Sequence, residues 1–123
     1  MILQVTSLIV LLLVHWLADF ALQTEQQANN KNHSLLALGG HVLTYGISMG
    51  IAMMCLYPCR GMAISAVLLA ASHFLIDFVT SKITHRLYEE KRYHDFFVVI
   101  GFDQFLHVLT IIAILSFKIK EVL

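Results

Sequence analysis

Four stretches of roughly twenty mostly apolar residues, each long enough to cross a bilayer about 30 Å thick as a helix, carry His and Asp at helical spacing. His15 and Asp19 lie in the first, His41 in the second, His73 and Asp77 in the third, and Asp103 and His107 in the fourth. A charged side chain inside a membrane span costs about 2.5 to 3.5 kcal/mol on insertion scales, so seven ionisable residues in one small chain call for a shared purpose. Composition agrees with membrane residence. The 123 residues are 59% hydrophobic and 13% charged, with a mean hydropathy of +0.78, far from a soluble globular profile and sized for one domain. Formal net charge is zero and no basic face with interleaved aromatics is present, so nucleic acid is not an expected partner.

The expected spans cover about 2–22, 34–56, 62–83 and 96–117. A polar loop from Gln23 to Asn32 follows the first, a short turn at Pro58, Arg60 and Gly61 follows the second, and the charged run Lys82, Arg86, Glu89, Glu90, Lys91 and Arg92 ends the third. The first stretch reads as a retained span, since no Lys or Arg precedes it and no small-x-small cleavage site follows it. Cys55 and Cys59 flank Pro58 and are read as free thiols, too few for a four-thiolate site. Gly46 and Gly50, with Ala66 and Ala70, mark places where helices can approach closely. The loops after spans one and three hold five Lys or Arg (Lys31, Lys82, Arg86, Lys91, Arg92) against three elsewhere (Arg60, Lys118, Lys120). That bias puts both long loops in the cytoplasm and both termini outside.

The chain also repeats itself. His15-Trp16-Leu17-Ala18-Asp19-Phe20 matches His73-Phe74-Leu75-Ile76-Asp77-Phe78, and His41-Val42-Leu43-Thr44 recurs as His107-Val108-Leu109-Thr110. Each half then reads as one helical hairpin, and the fold as an all-α integral membrane protein of four transmembrane helices in two parallel helix-hairpin pseudo-repeats. Asp103 has no counterpart, because Ala37 stands at the matching place.

Residues four apart share a helix face, so each His/Asp pair projects towards a common point. In an up-and-down bundle all seven residues fall in one layer beside the two long loops. Imidazole and carboxylate suit zinc, with iron or manganese as further options, and bundle cores are known to assemble two-metal sites from facing helices. Two ions sharing a bridging carboxylate and an activated water suit hydrolysis of a phosphoester or other ester. His15, Asp19, His41, His73, Asp77, Asp103 and His107 are the expected ligands. Asp103, the carboxylate outside the repeat, is the expected bridge or catalytic base. Gln23, Gln104, Thr44 and Tyr45 are placed to orient ligands or meet a substrate, as is Thr110. Arg86, with Lys82 and Arg92, flanks the mouth, where a lipid phosphate would lie. The plain alternative is a layer of His–carboxylate hydrogen bonds tying helices together without an ion. His33, His85 and His94 are expected to be solvated.

The pattern His15-x-x-x-Asp19-Phe20 with Gln23, then His41, His73-x-x-x-Asp77 and Asp103-Gln104-x-x-His107 resembles a family of small bacterial and phage membrane proteins catalogued as domain of unknown function 3307. The likeness covers nearly the whole chain and implies no activity. A looser similarity is to the inner-membrane metal-dependent hydrolases under control of the bacterial SOS repressor, whose length and fuller His/Asp motif set this chain lacks; hydrolysis comes by analogy.

The expected function is therefore a membrane-embedded metal-dependent hydrolase of a lipid or lipid-linked phosphoester in the bacterial inner membrane, with membrane lipid as partner and room for a homo-oligomer. A non-enzymatic component using the same layer for ion or proton passage, or for helix and subunit association, is the alternative. Polar residues are sparse towards the other face: Gln4, Thr6 and Ser7 are the candidates in span one, and span four is apolar from Ile111 to Leu115. A layer closed at one end favours a buried site over a conduit.

Overall fold

The computed structural model describes residues 2–57 and 62–122, and every regular element among them is helical. Helix α1 (Ile2–Trp16) runs directly into a π-helical turn (Leu17–Ala21); α2 (Glu25–Asn30), α3 (Leu35–Leu56), α4 (Met62–Glu89) and α5 (Tyr93–Val122) follow. Four stretches, Gln4–Ala21, Leu35–Leu56, Met62–Glu89 and Tyr93–Phe117, are long and apolar enough to cross a membrane. The expected turn through Pro58, Cys59, Arg60 and Gly61 lies outside the described residues, and Cys55 is a free, exposed thiol.

The bundle is apolar outside and holds its His/Asp layer inside. Leu36 is 88% exposed and Phe97 68%, whereas His41 and His107 are fully buried and Asp77 is 2% exposed. An outer surface of this kind needs lipid or another apolar cover. Inside, the buried layers are segregated along the axis: Leu11, Met49, Met53, Leu69, Ile111 and Leu115 form an apolar core beyond the His/Asp layer, on the side away from α2. That core seals the polar layer at one end.

Helix α3 packs on α1 and on α4, α4 packs on α5, and α2 lies on α3. The α3–α4 contact is close because of the small residues in it. A Cβ on Gly46 would stand 3.1 Å from Cβ of Ala70, and one on Gly50 would stand 3.2 Å from Cβ of Ala66, tighter than ordinary van der Waals contact. Two glycine–alanine meetings one turn apart thus fix the spacing that His41 and His73 inherit.

Two segments differ from the sequence expectation. The polar stretch after the first span contains α2, begun by a full capping box: the Thr24 hydroxyl accepts from the Gln27 backbone N–H at 3.2 Å, and the Gln27 side chain accepts from the Thr24 N–H at 3.0 Å. Helix α4 continues to Glu89, beyond the expected span end at 83, because Lys82, Arg86 and Glu89 end the apolar stretch while remaining good helix formers. It ends at Glu89, and the turn that follows passes through Lys91, whose φ of 58° is left-handed. The Arg92 N–H then reaches the Leu87 carbonyl at 2.9 Å, the closure of a Schellman turn.

Candidate metal centre

Asp19 enters the core from the π-helical turn, where the Leu22 N–H reaches back five residues to the Leu17 carbonyl at 2.8 Å. Such single π turns within α-helices recur at functional sites. Here the turn buries Ala18 and Asp19 while Phe20 stays at the surface. His41 comes from α3, His73 and Asp77 from α4, and Asp103 and His107 from α5.

One oxygen of Asp19, Nε2 of His41, Nε2 of His73 and one oxygen of Asp77 converge. His41 Nε2 lies 3.1 Å from Asp19 Oδ1, 3.4 Å from Asp77 Oδ2 and 3.0 Å from His73 Nε2. His73 Nε2 lies 3.3 Å from the same Asp19 oxygen and 3.7 Å from the same Asp77 oxygen. All four residues are buried and can hold an ion together. Four ligands about 2.0 Å from a tetrahedral ion are spaced about 3.3 Å from one another, and these five separations scatter about that value.

A hydrogen-bonded layer fits the same atoms poorly. A single proton on His41 Nε2 cannot serve Asp19, Asp77 and His73 at once, and His73 Nε2 meets both carboxylates as well. The far nitrogens, Nδ1 of His41, His73 and His107, are buried without a hydrogen-bond partner among the described residues. The rings therefore have polar business only at the centre. They are oriented by stacking, Tyr45 on His73 at 3.8 Å between ring centroids and His73 on His107 at 4.2 Å.

A second group adjoins the first. Asp19, Asp103 and His107 also lie within reach of one ion; His107 Nε2 stands 3.5 Å from Asp103 Oδ2 and 3.2 Å from Asp77 Oδ1. Asp19 is common to both groups. Asp77 spans them too, with Oδ2 in the first and Oδ1 on His107.

His15 stands outside both groups, and its neighbours say why. The Gln104 amide nitrogen donates to Asp19 Oδ2 at 2.8 Å and to Asp103 Oδ2 at 3.1 Å, which turns its oxygen towards His15 Nε2 at 3.0 Å. That nitrogen then carries a proton, and Nδ1 lies 3.2 Å from the Tyr45 hydroxyl. His15 is thereby a positioning residue that aligns Gln104, the tie between Asp19 and Asp103.

The other expected residues are distributed as follows. Gln104 and Tyr45 sit at the centre as described. Gln23 lines a cavity beside it, with a buried Oε1 that has no partner among the described residues. Thr44 donates to the Gly40 carbonyl of its own helix at 3.2 Å and Thr110 to the His107 carbonyl at 2.8 Å, so both hydroxyls serve their helices. Arg86 is exposed and pairs with Glu90 at 2.8 Å, Arg92 pairs with Asp95 at 2.8 Å, and Lys82 lies over the Phe78 ring. None of these three cations bonds to the centre.

Sequence reasoning passed over two contacts. Lys31, at the C-terminal end of α2, places Nζ 2.8 Å from Asp77 Oδ2. Thr80, one turn beyond Asp77, donates to Asp103 Oδ1 at 2.5 Å. The Thr80 signal was present, three residues from Asp77 on an inward face; nothing in the spacing marked Lys31.

Beside the centre, on the α2 side, lies a cavity of about 540 Å³, within the range of small-molecule sites. Its walls include Asp19, Asp77 and Asp103 at the inner end, Asn29, Lys31 and Asn32 from the α2 segment, and Phe20, Phe96 and Ile100. His85, expected to be solvated, also lines it. Three carboxylates and one ammonium in an apolar surround form a charge set that bound cations would offset. Open to a cavity on one side and to apolar packing on the other, the centre can hold an ion and still meet a small ligand.

The model of a family described as Protein of unknown function (DUF3307) matches residues 7–123 of this chain. No curated protein and no solved structure matches it.

Proposed function

The chain belongs to the DUF3307 family, and we propose that it is a membrane-embedded metal-binding protein acting as a metal-dependent hydrolase on a lipid or lipid-linked phosphoester. The observation that carries the reading is the near-tetrahedral spacing of Asp19, His41, His73 and Asp77, 3.0 to 3.7 Å across five of their separations. Zinc suits a set of two imidazoles and two carboxylates, and iron and manganese share the same donors. Asp19, common to both groups, would help hold both ions of a two-ion site. Bound ions would supply an activated water and charge stabilisation at the reacting ester. Asp103 borders the cavity and is held by Thr80 and Gln104, the position from which a carboxylate takes a proton from the attacking water.

In this reading the four long helices are two parallel hairpin repeats across the bacterial inner membrane, with the α2 and α4–α5 connections in the cytoplasm, where the Lys/Arg bias puts them. Support for the repeat comes from its two equivalent carboxylates, Asp19 and Asp77, each giving one oxygen to the same four-atom group. The equivalent histidines part company: His73 joins the group and His15 does not.

The test is elemental analysis of detergent-purified protein, with His73→Ala alongside, followed by assay of the loaded protein on membrane lipid extracts. Stoichiometric transition metal, lost in His73→Ala, is the expected result. Protein with no bound metal, or with His73→Ala metal equal to wild type, rejects the site; metal without any lipid product leaves a binding protein and rejects the hydrolase.

A further inference from the structure

The two sides of the cavity differ in chemistry. Its inner wall carries the Asp19, Asp77 and Asp103 carboxylates and its α2-facing wall Lys31, Asn29 and Asn32, while Phe20, Phe96 and Ile100 form an apolar stretch of lining. Phe20 is 48% exposed, so the cavity wall reaches the outer surface of the bundle where the first span ends and the last begins. Gln23 and Ser81, both lining the cavity, each keep a buried side-chain oxygen without a partner among the described residues. A site with polar groups at its closed end and aromatic rings at its outer edge matches an amphiphile whose headgroup is inside and whose tail is not.

Lys31 decides the charge of that headgroup. Its ammonium shares Asp77 Oδ2 with the four-atom group. An ion about 2.0 Å from that oxygen would put two cations on either side of one carboxylate oxygen, at the edge of a cavity open to a ligand. With an ion in each of the two groups, the positive charge of the ions and Lys31 would exceed the negative charge of Asp19, Asp77 and Asp103, and an anion would offset that excess where a neutral or cationic ligand would not. At about 540 Å³ the cavity holds a headgroup and its first carbons and leaves long acyl chains outside.

Resting on the metal-centre reading above, we infer that this cavity binds the phosphate of a membrane amphiphile, with Lys31 as its contact cation and the tail leaving past Phe20 towards the bilayer. Position favours Lys31 over Arg86 and Arg92, since Lys31 lines the cavity and neither arginine does. The segment carrying it is also anchored. The Thr24–Gln27 capping box starts α2, and Gln27 Nε2 lies 3.2 Å from where a Cβ on Gly40 would be, so α2 sits on α3 at a point kept open by glycine.

The test uses the full chain in detergent, loaded with zinc, with metal content measured first and ligand binding by native mass spectrometry second. The probes are dioleoyl phosphatidic acid, dioleoylglycerol and inorganic phosphate. Wild type is expected to bind phosphatidic acid and not dioleoylglycerol. Compared at equal zinc occupancy, Lys31→Met should bind phosphatidic acid roughly tenfold more weakly, the scale of one charge-assisted hydrogen bond, and Lys31→Arg should recover most of the loss. Equal binding of dioleoylglycerol, or undiminished binding by Lys31→Met, overturns the inference. So does zinc loss in Lys31→Met, which makes Lys31 a support of the ion. Inorganic phosphate bound as tightly as phosphatidic acid upholds the anion contact and overturns the tail path. Zinc bound without phosphatidic acid binding sinks this inference alone, whereas no zinc at all sinks the metal centre and this inference with it.

Discussion

Gln104 donates its side-chain nitrogen to Oδ2 of Asp19 at 2.8 Å across 85 residues of sequence, joining the last long helix to the π-helical turn that ends the first. The same amide gives its oxygen to His15, so one uncharged side chain places a proton on an imidazole nitrogen and sets the orientation of a carboxylate. The other Asp19 oxygen is left facing His41 and His73. Outer partners of this kind commonly decide how well a metal ligand performs.

Gln104→Ala removes that tie without touching a ligand. His15 Nε2 and Asp19 Oδ2 would each lose a buried partner, at about 1–3 kcal/mol apiece, and loosening a ligand's outer partner lowers metal affinity by roughly 10- to 100-fold. The expected outcome is a lower unfolding temperature in detergent together with weaker zinc retention in a chelator titration. Wild-type values in both would show that Asp19 is held by something else.

The glycines of α3 predict opposite signs at two positions. Gly46→Leu drives a branched side chain into Ala70, forcing α3 and α4 apart at a cost of about 1–3 kcal/mol, and because the same pair of helices sets the 3.0 Å approach of His41 to His73, zinc affinity should fall with stability. Gly39→Ala meets nothing within 4 Å and should stabilise by about 0.5–1 kcal/mol through helix propensity. Thermal unfolding of both variants, with zinc content of the first, checks this. Gly46→Leu as stable as wild type would mean that the helices are not held at that point.

Spacing and hydropathy made the long apolar helices and the His/Asp layer legible, because periodicity reports which side chains share a face and hydropathy reports where a span lies. Neither reports how a helix is rotated or wound at its end. His15 and His73 occupy equivalent places in the two halves of the sequence, yet Tyr45 and Gln104 claim both nitrogens of His15 while His73 turns Nε2 to the carboxylates. The π turn at Leu17–Ala21 has no marker in LADFA. Lys31 was hidden for a different reason: a lysine in a polar loop reads as solvated, and its bond to Asp77, 46 residues on, depends on α2 folding back over the bundle.

Lys91 supplies a test of the α4–α5 turn independent of the metal. It is the non-glycine residue with positive φ among those described, at the place where helices commonly end in glycine. Left-handed geometry costs an ordinary L-residue roughly 1 kcal/mol or more, so Lys91→Gly should raise the unfolding temperature and Lys91→Ala should not. Equal effects of the two would point to removal of the lysine charge as the cause.

The carboxylates separate ligand from base. Asp19 and Asp77 each bring an oxygen to the four-atom group, so Asp19→Asn and Asp77→Asn are both expected to lose the zinc of that group while keeping side-chain shape, and Asp19→Asn, at the position common to both groups, the second ion as well. Asp103 belongs only to the second group, is held by Thr80 and Gln104, and borders the cavity. Asp103→Asn should therefore insert and fold, retain the ion of the first group, and lose either a second ion or the hydrolytic activity by at least about 100-fold, as removal of a general base does. Metal stoichiometry on all three variants distinguishes the cases. Should Asp103→Asn keep wild-type metal and wild-type turnover, Asp103 is a structural acceptor for Thr80 and the base lies elsewhere; should it lose all metal as Asp19→Asn does, the two groups are one site and Asp103 is a ligand of it.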